Sequence, residues 1–323
     1  MAVPTNTVQT FSRTNIREDL TNIISNISPV DTPLISNIGT AKAKQRLHEW
    51  QTDTLAAADS DNKTVEGDDA TIDTAPASSR RNNYTQLMDK VVSVSSTSRA
   101  VDNAGYADEL AYQVSKRAKE LKRDMEKRAC DNKAAVPGNA STAGETAGAV
   151  AFIQTNANRG ATGASGTLSG GTSGYVNAAA TNGTLRNFTE ALLKDVIQKA
   201  WNEGGSPSMA LMSGPLKQTA STFPGIAQQR KDNAGNGMAT IIGAADVYVS
   251  DFGDIAFVPS RFTTGRDVLV LDPSLWKVAD LQGYQLEDLA KTGHSDKKML
   301  SREWTLVCQN EKGNGVVADV QAV

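Results

Sequence analysis

Three short stretches of this chain carry the residue types of a serine acyl-transfer site. Ser274-Leu275-Trp276-Lys277 sets a hydroxyl and an amine one helical turn apart, and Ser60-Asp61-Asn62 and Lys291-Thr292-Gly293 supply the accompanying triplets. That chemistry needs the Ser and Lys on one helix and the Lys-Thr-Gly triplet on a strand. Here the chain order is wrong, Pro273 and neighbouring strand-like runs argue against a helix at Ser274, and Ser60 sits in an acidic stretch. The matches are read as chance. Asp251-Phe252-Gly253 has the lettering of a magnesium-binding kinase triplet. No catalytic loop, phosphate-cradling loop or VAIK-like strand accompanies it, so a hairpin turn is expected. His48 and His294 are the only histidines, and neither has a partner at metal-ligand spacing. No catalytic, cofactor-binding or metal-binding residue is assigned.

The remaining chemical signal is charge. Residues 53–73 hold seven acids and one base, Lys63. Carboxylates are ligands for hard cations, but the spacing of a calcium loop is absent, and a solvated acidic loop is the plainer reading. Its other use is electrostatic: the tip would steer onto basic residues of a neighbouring copy, for which Lys116, Lys119, Lys122 and Arg123 are the candidates.

The rest of the chain says what must position such a tip. Its 323 residues suggest two domains, and 33 Lys plus Arg against 36 Asp plus Glu leave a net charge of −3, which argues against a general nucleic-acid binder. Aromatics are 5% of the residues, so cores must rest on aliphatic packing. No apolar run has the length of a membrane span, and Met1–Thr10 lacks the pattern of a signal peptide. Cys130 and Cys308 have no nearby partner and read as reduced, buried thiols.

Residues 1–40 read as an arm. Asn15 and Glu18 form a capping pair for a helix whose stripe is Ile16, Leu20, Ile23, Ile24 and Ile27; Pro29 ends it and Pro33 holds the next stretch extended. Residues 41–98 read as a long ribbon, with Lys42–Thr52 going out and Arg80–Ser96 returning. On the return, Tyr84, Met88, Val92 and Val94 share a face that Gln86 and Lys90 interrupt. The clearest helix is 102–132, with Tyr106, Leu110, Val114, Ala118, Leu121, Met125 and Ala129 in one narrow stripe and charges, Glu126 among them, around the rest. At roughly 46 Å it reads as a structural spine, with a solvated coiled-coil-like helix as the alternative. Residues 138–183 hold ten glycines and two charges and read as a flexible or partner-ordered loop. A helix over Leu185–Trp201 follows, then strands at Met209–Met212, Ile241–Ser250, Ile255–Val258, Val268–Leu271, Leu281–Leu286 and Met299–Cys308, a turn at Asn310–Gly315 and a closing strand. Arm, ribbon and Gly-rich loop are nearly half the chain, and none is expected to bury a core alone. Ordering them costs about 1–2 kcal/mol per residue in backbone entropy, so neighbouring subunits are expected to supply contacts.

This order of segments resembles that of the major capsid (major head) proteins of tailed phages with the Hong Kong 97 fold. Ser28-Pro29-Val30-Asp31-Thr32-Pro33-Leu34 is similar to the N-terminal signature of one subfamily. Tyr248-Val249-Ser250-Asp251-Phe252-Gly253, Val258-Pro259-Ser260-Arg261-Phe262 and Leu269-Val270-Leu271-Asp272-Pro273 are similar to its later one. The resemblance implies an α+β fold: an N-terminal arm (1–40), an extended β-ribbon loop (41–98), a peripheral domain (99–184) with the spine helix, an axial domain (185–265), and a return to the peripheral domain (266–323). Asp232–Gly237 would lie near the capsomer axis. It further implies no enzymatic activity, and self-assembly into pentamers and hexamers of an icosahedral shell that encloses duplex DNA without sequence-specific binding. No cofactor or membrane is implied.

The same resemblance implies a separate scaffolding protein or none, a portal, a possible decoration protein, and assembly in the bacterial cytoplasm into the virion. In the type member a Lys–Asn isopeptide bond links subunits. Lys63 lies in the matching loop and Asn310 or Asn314 in an acceptor region, but no Glu can be assigned, so a shell without cross-links is expected. The rival readings are a bacterial nanocompartment (encapsulin-like) shell, which shares the fold, and a surface adhesin or fibre protein.

Overall fold

The computed structural model describes residues 31–69, 72, 78–101, 108–223 and 246–322. The expected arm helix, the first residues of the expected 102–132 helix with Tyr106, Asp232–Gly237, and the start of the expected Ile241 strand lie outside them.

A short helix, α1 (Pro33–Asn37), opens the described chain and leads into β1 (Gly39–Lys42). Pro33 does not hold an extended stretch as expected. It occupies the first turn of α1, where a missing N–H costs nothing because that donor has no helical partner. β2 (Leu47–Thr52) and β3 (Ser79–Tyr84) then pair antiparallel, from Leu47 opposite Tyr84 to Thr52 opposite Ser79. The return limb is not one strand to Ser96. At Thr85 the backbone N–H still donates to Arg46 O (2.8 Å), but the hydroxyl donates to Glu303 Oε1 (2.6 Å). From there β4 (Gln86–Ser95) belongs to another sheet.

Helix α2 (Ser96–Ala100) precedes the spine, α3 (Glu109–Cys130). The spine is shorter than the expected 102–132, about 33 Å for its 22 residues. Asp108 sets its start by accepting from Leu110 N (3.0 Å). The expected stripe holds: Leu110, Leu121, Met125 and Ala129 are buried.

Residues 138–183 overturn the expectation of a flexible or partner-ordered loop. They contain α4 (Ala149–Phe152), β5 (Ala157–Asn158), β6 (Thr167–Leu168) and β7 (Val176–Ala178), and they bury Ala147, Ala149–Ile153, Leu168 and Val176 within their own chain. The physical reason is that glycine lets backbone lie on backbone. A Cβ on Gly148 would stand 2.0 Å from Asp131 O, and one on Gly160 would stand 2.2 Å from Thr184 O. Few side chains are needed where main chain itself fills the space.

β8 (Arg186–Asn187) delays the next helix, α5, to Glu190–Asn202 instead of Leu185–Trp201. The C-terminal segment claims those first residues: Arg186 N donates to Asp319 O and Phe188 N to Gln321 O. Next come β9 (Met209–Met212), α6 (Gly214–Ala220), β10 (Val247–Ser250), β11 (Gly253–Pro259) and β12 (Val268–Leu271). Two long strands follow, β13 (Trp276–Leu289) and β14 (Ser295–Cys308), then β15 (Gly315–Val317) and β16 (Val320–Gln321).

Two sheets organise these elements. One has the order β1-β13-β14-β4, with α3 across a face. Val92 and Val94 of β4 meet Leu110 and Val114 there, and Lys90, on the same face, reaches Asp124 of α3 at 2.6 Å. The polar residue that interrupted the apolar face thus has its partner on the covering helix. The other sheet has the order β10-β11-β9-β12-β15-β5. Both its faces are covered, which is why Met209–Met212 and Val268–Leu271 read as unbroken apolar runs. Met209, Leu211, Leu269 and Leu271 join the core of Phe152, Trp276 and Trp304, while Ala210, Met212, Val268 and Val270 meet Leu193, Val196 and Ile197 of α5.

Candidate assembly surfaces

The triplets that suggested catalysis are not brought together. Ser274 lies in a 3-10 turn, where its N–H and hydroxyl both donate to Asp272 Oδ1 (3.0 and 2.7 Å). Lys291 lies beyond the far end of β13, about 45 Å of strand away. Ser60 is at the exposed tip of the ribbon. Asp251-Phe252-Gly253 is the expected hairpin turn, closed by Ser250 Oγ donating to Gly253 O (2.7 Å). His48 lies on β2, with burial lowering its pKa, and His294 lies in the β13–β14 turn. Among the described residues no group of His, Cys, Asp or Glu is arranged to hold a metal ion.

What the chain does present is a set of surfaces for other molecules. Beyond Thr52 the outgoing limb is bare: residues 53–69 are exposed throughout, with Leu55 at 98% and Val65 at 75% of full exposure. The root of the ribbon, in contrast, is firmly held. The Gly-rich hairpin braces it, with Gly174 N donating to Arg80 O (2.8 Å) and Asn82 N to Gly174 O (3.3 Å). Asn83 is fully buried beneath; its amide donates to Thr146 Oγ1 and Leu306 O, and its Oδ1 accepts from Ala147 N.

The arm is anchored by a residue that sequence reasoning had placed on a polar face. Glu126 of α3 is fully buried, and its two oxygens accept from Leu34 N and Ile35 N, each at 2.8 Å. Burial pushes its carboxyl up, against the pull of those two backbone donors. Nothing in the period of α3 marks Glu126, because the partner is the main chain of a segment about 90 residues earlier.

The basic stripe is narrower than its four residues suggested. Lys122 donates to Ser36 Oγ (3.3 Å), and the guanidinium of Arg123 lies 5.8 Å from the Phe262 ring centre. Lys116 and Lys119 remain exposed. Two further exposed apolar features are the ring pair Trp201 and Phe252, 5.0 Å apart, and Val247 and Val249 of β10.

The cross-linking candidates are placed unequally. Lys63 is exposed beside Asp61 (3.6 Å). Asn314 is fully buried, its Oδ1 accepting from Trp276 Nε1 (2.9 Å) and Asp272 N (2.8 Å) and its amide donating to Asn310 O. Asn310 caps a short turn by accepting from Lys312 N (3.0 Å).

Solved shell proteins share this arrangement. The capsid asymmetric unit of cyanophage A-1(L) superimposes with a TM-score of 0.68, covering 97% of this chain and 99% of that one at 12% identity. An encapsulin, the holo-SrpI complex from Synechococcus elongatus, shares the fold at a TM-score of 0.54 and 11% identity, over 92% of this chain and 93% of that one. The chain therefore has the Hong Kong 97 fold, as the order of its segments suggested. In sequence, 127 residues are 40% identical to the major capsid protein of Escherichia phage Phieco32, a match spanning 39% of this chain and 36% of that relative's length. The family model of the SU10 major capsid protein matches residues 3–321, nearly end to end, and the chain belongs to that family.

Proposed function

We propose that copies of this chain close into the icosahedral head shell of a tailed phage, around double-stranded DNA. The observation that carries this is the ribbon. A braced root projects a tip on which apolar and acidic side chains alike find no cover among the described residues. Such a tip gains its contacts from a neighbour. Ribbon and receiving surface are different patches, so the contact is heterologous and closes rings of five and six. Many weak contacts around a shell then act together. A net charge of −3 suits a wall that surrounds DNA without gripping its phosphates. Assembly rather than catalysis is the function, the virion is its site, and a separate scaffolding protein, a portal and a decoration protein belong to the same proposal, as does assembly in the host cytoplasm. Membership of the capsid family favours the phage head over the nanocompartment, whose likeness speaks for the fold alone.

Negative-stain microscopy and light scattering on the expressed chain, alone and with its neighbouring phage genes, test the proposal. Closed shells, tubes or capsomer rings are expected. Deletion of residues 53–73 is expected to leave a folded subunit that builds no stable shell, and particles of normal yield and shape from that deletion would refute the reasoning.

A further inference from the structure

Three Asn-Gly pairs occur in the sequence: Asn182-Gly183, Asn236-Gly237 and Asn314-Gly315. An asparagine before glycine is prone to cyclise, because no side chain hinders the following backbone nitrogen. That nitrogen attacks the Asn Cγ, the Cγ–Nδ2 bond breaks, and ammonia leaves with the proton the nitrogen gave up. Water then opens the cyclic imide at either carbonyl. The product is aspartate or isoaspartate, the latter with one more carbon in the main chain. Asn236-Gly237 lies outside the described residues, and the other two pairs are held in opposite ways. At Asn314 the electrophile is fixed: the side chain is fully buried and bonded through both ends of its amide. At Asn182 the side chain is exposed, and the nucleophile is fixed instead.

Gly183 N donates to Asp319 Oδ1 (2.8 Å), and the main chain on either side of it is tied. Thr181 exchanges two hydrogen bonds with Ala164 (2.8 and 3.1 Å), Gly183 O accepts from Arg266 Nη2 (2.8 Å), and Thr184 N donates to Ala161 O (2.8 Å). Three consecutive peptide planes are therefore pinned. Cyclisation must swing Gly183 N towards Asn182 Cγ, which breaks its bond to Asp319. A carboxylate is also the wrong neighbour for an amide that has to lose a proton, since its charge opposes the negative charge growing on nitrogen. Glycine is required here by packing: a Cβ on Gly183 would stand 2.7 Å from Ala161 O and from Gly163 N. Packing thus imposes the reactive pair, and Asp319 restrains it.

We infer that Asn182 is a latent deamidation site of the subunit, and that Asp319 is the residue that keeps it closed. Where the bond to Asp319 opens, Asn182 converts, and a lengthened isoaspartyl backbone finds no room beside Ala161 and Gly163 to close again. The change strikes the segment that braces the root of the ribbon through Gly174.

The full chain, folded or unfolded in guanidinium at one pH and temperature, is incubated and digested. Conversion at Asn182 and Asn314 is followed by mass spectrometry with fragmentation that distinguishes isoaspartate. The folded wild type is expected to convert Asn182 at least about tenfold more slowly than the unfolded chain, the factor set by one hydrogen bond to a charged group. Folded D319A is expected to regain at least about tenfold in rate at Asn182, with Asn314 as slow as in wild type. Folded and unfolded wild type within about twofold of each other at Asn182, or D319A no faster than wild type there, would overturn the assignment. If both asparagines accelerate in D319A, the subunit has opened as a whole, and D319N, which keeps the shape and drops the charge, is read in its place. Faster conversion at Asn182 alone then supports the lock, and any other pattern overturns it.

Discussion

Replacing Glu126 by alanine tests whether one carboxylate ties the arm to the spine. The side chain is fully buried and accepts two consecutive backbone donors, Leu34 N and Ile35 N. Each hydrogen bond to a charged group contributes about 1.5–3 kcal/mol, and the two share one group, so they do not add fully. Alanine also leaves two main-chain donors unanswered beside Leu34. The expected loss for opening α1 is about 2–4 kcal/mol, or roughly a 30- to 1,000-fold rise in amide exchange. Hydrogen exchange read on a peptide covering residues 33–38 measures it, with 209–212 in β9 as the unaffected control. Exchange at 33–38 within threefold of wild type would refute the latch. Glu126→Gln separates charge from shape. Burial, the largest influence, raises the Glu126 carboxyl, so the folded chain holds that proton more readily than the unfolded chain does. The contribution of this residue is then full below its unfolded value and is lost as pH rises through the folded one. Relative to E126Q, wild type is expected to lose stability as pH rises above the ordinary glutamate value of about 4.3, and a slope of the opposite sign would contradict the assignment.

Two further substitutions probe how the chain orders segments that looked incapable of packing. Asp319, buried at a φ of 59°, accepts from Gly183 N (2.8 Å), Gly160 N (3.1 Å) and Arg266 Nη2 (2.6 Å). D319A is expected to cost about 2–4 kcal/mol and to open residues 160–184 to protease before the rest of the subunit, measured by limited proteolysis. N314A strips the acceptor from Trp276 Nε1 and Asp272 N. It is expected to cost about 2–4 kcal/mol in urea unfolding and to shift the emission of the buried Trp276, whereas an unchanged spectrum would deny the bond its role.

Much of the frame was legible because burial writes itself into period. Met209–Met212 and Val268–Leu271 are apolar without a break, as strands covered on both faces must be, and the spine stripe falls at helical spacing. Even the faults in the pattern carried information: Lys90 broke the apolar face of β4 at the place where Asp124 answers it. Two features were not legible, each for its own reason. β3, Ser79–Tyr84, is polar up to Tyr84, and Tyr84 continues the period of β4, so nothing marked the change of partner at Thr85. Glu126 works on main chain remote in sequence.

The Gly-rich segment bears most directly on how such a subunit divides its labour. Low complexity suggested a segment that a neighbour must order, because few side chains means little apolar area to bury. The fold answers with main chain: Gly148 and Gly160 approach carbonyl oxygens at distances no Cβ would permit, and Asp319 and Asn83 collect donors that would otherwise be stranded. Polar satisfaction substitutes for hydrophobic area. The segment thereby needs no partner and serves as the brace of the ribbon, through Gly174 against Arg80 and Asn82. Of the three segments that seemed to lack a core, then, this one is self-sufficient and the root of the arm is pinned by Glu126. Among the described residues the ribbon tip is left as the part whose apolar and charged groups have no answer in the subunit. A rigid root under an unsatisfied tip aims the contact before it forms, so less conformational freedom remains to be lost when a neighbour arrives. It also places the driving force for assembly at the free end of the ribbon.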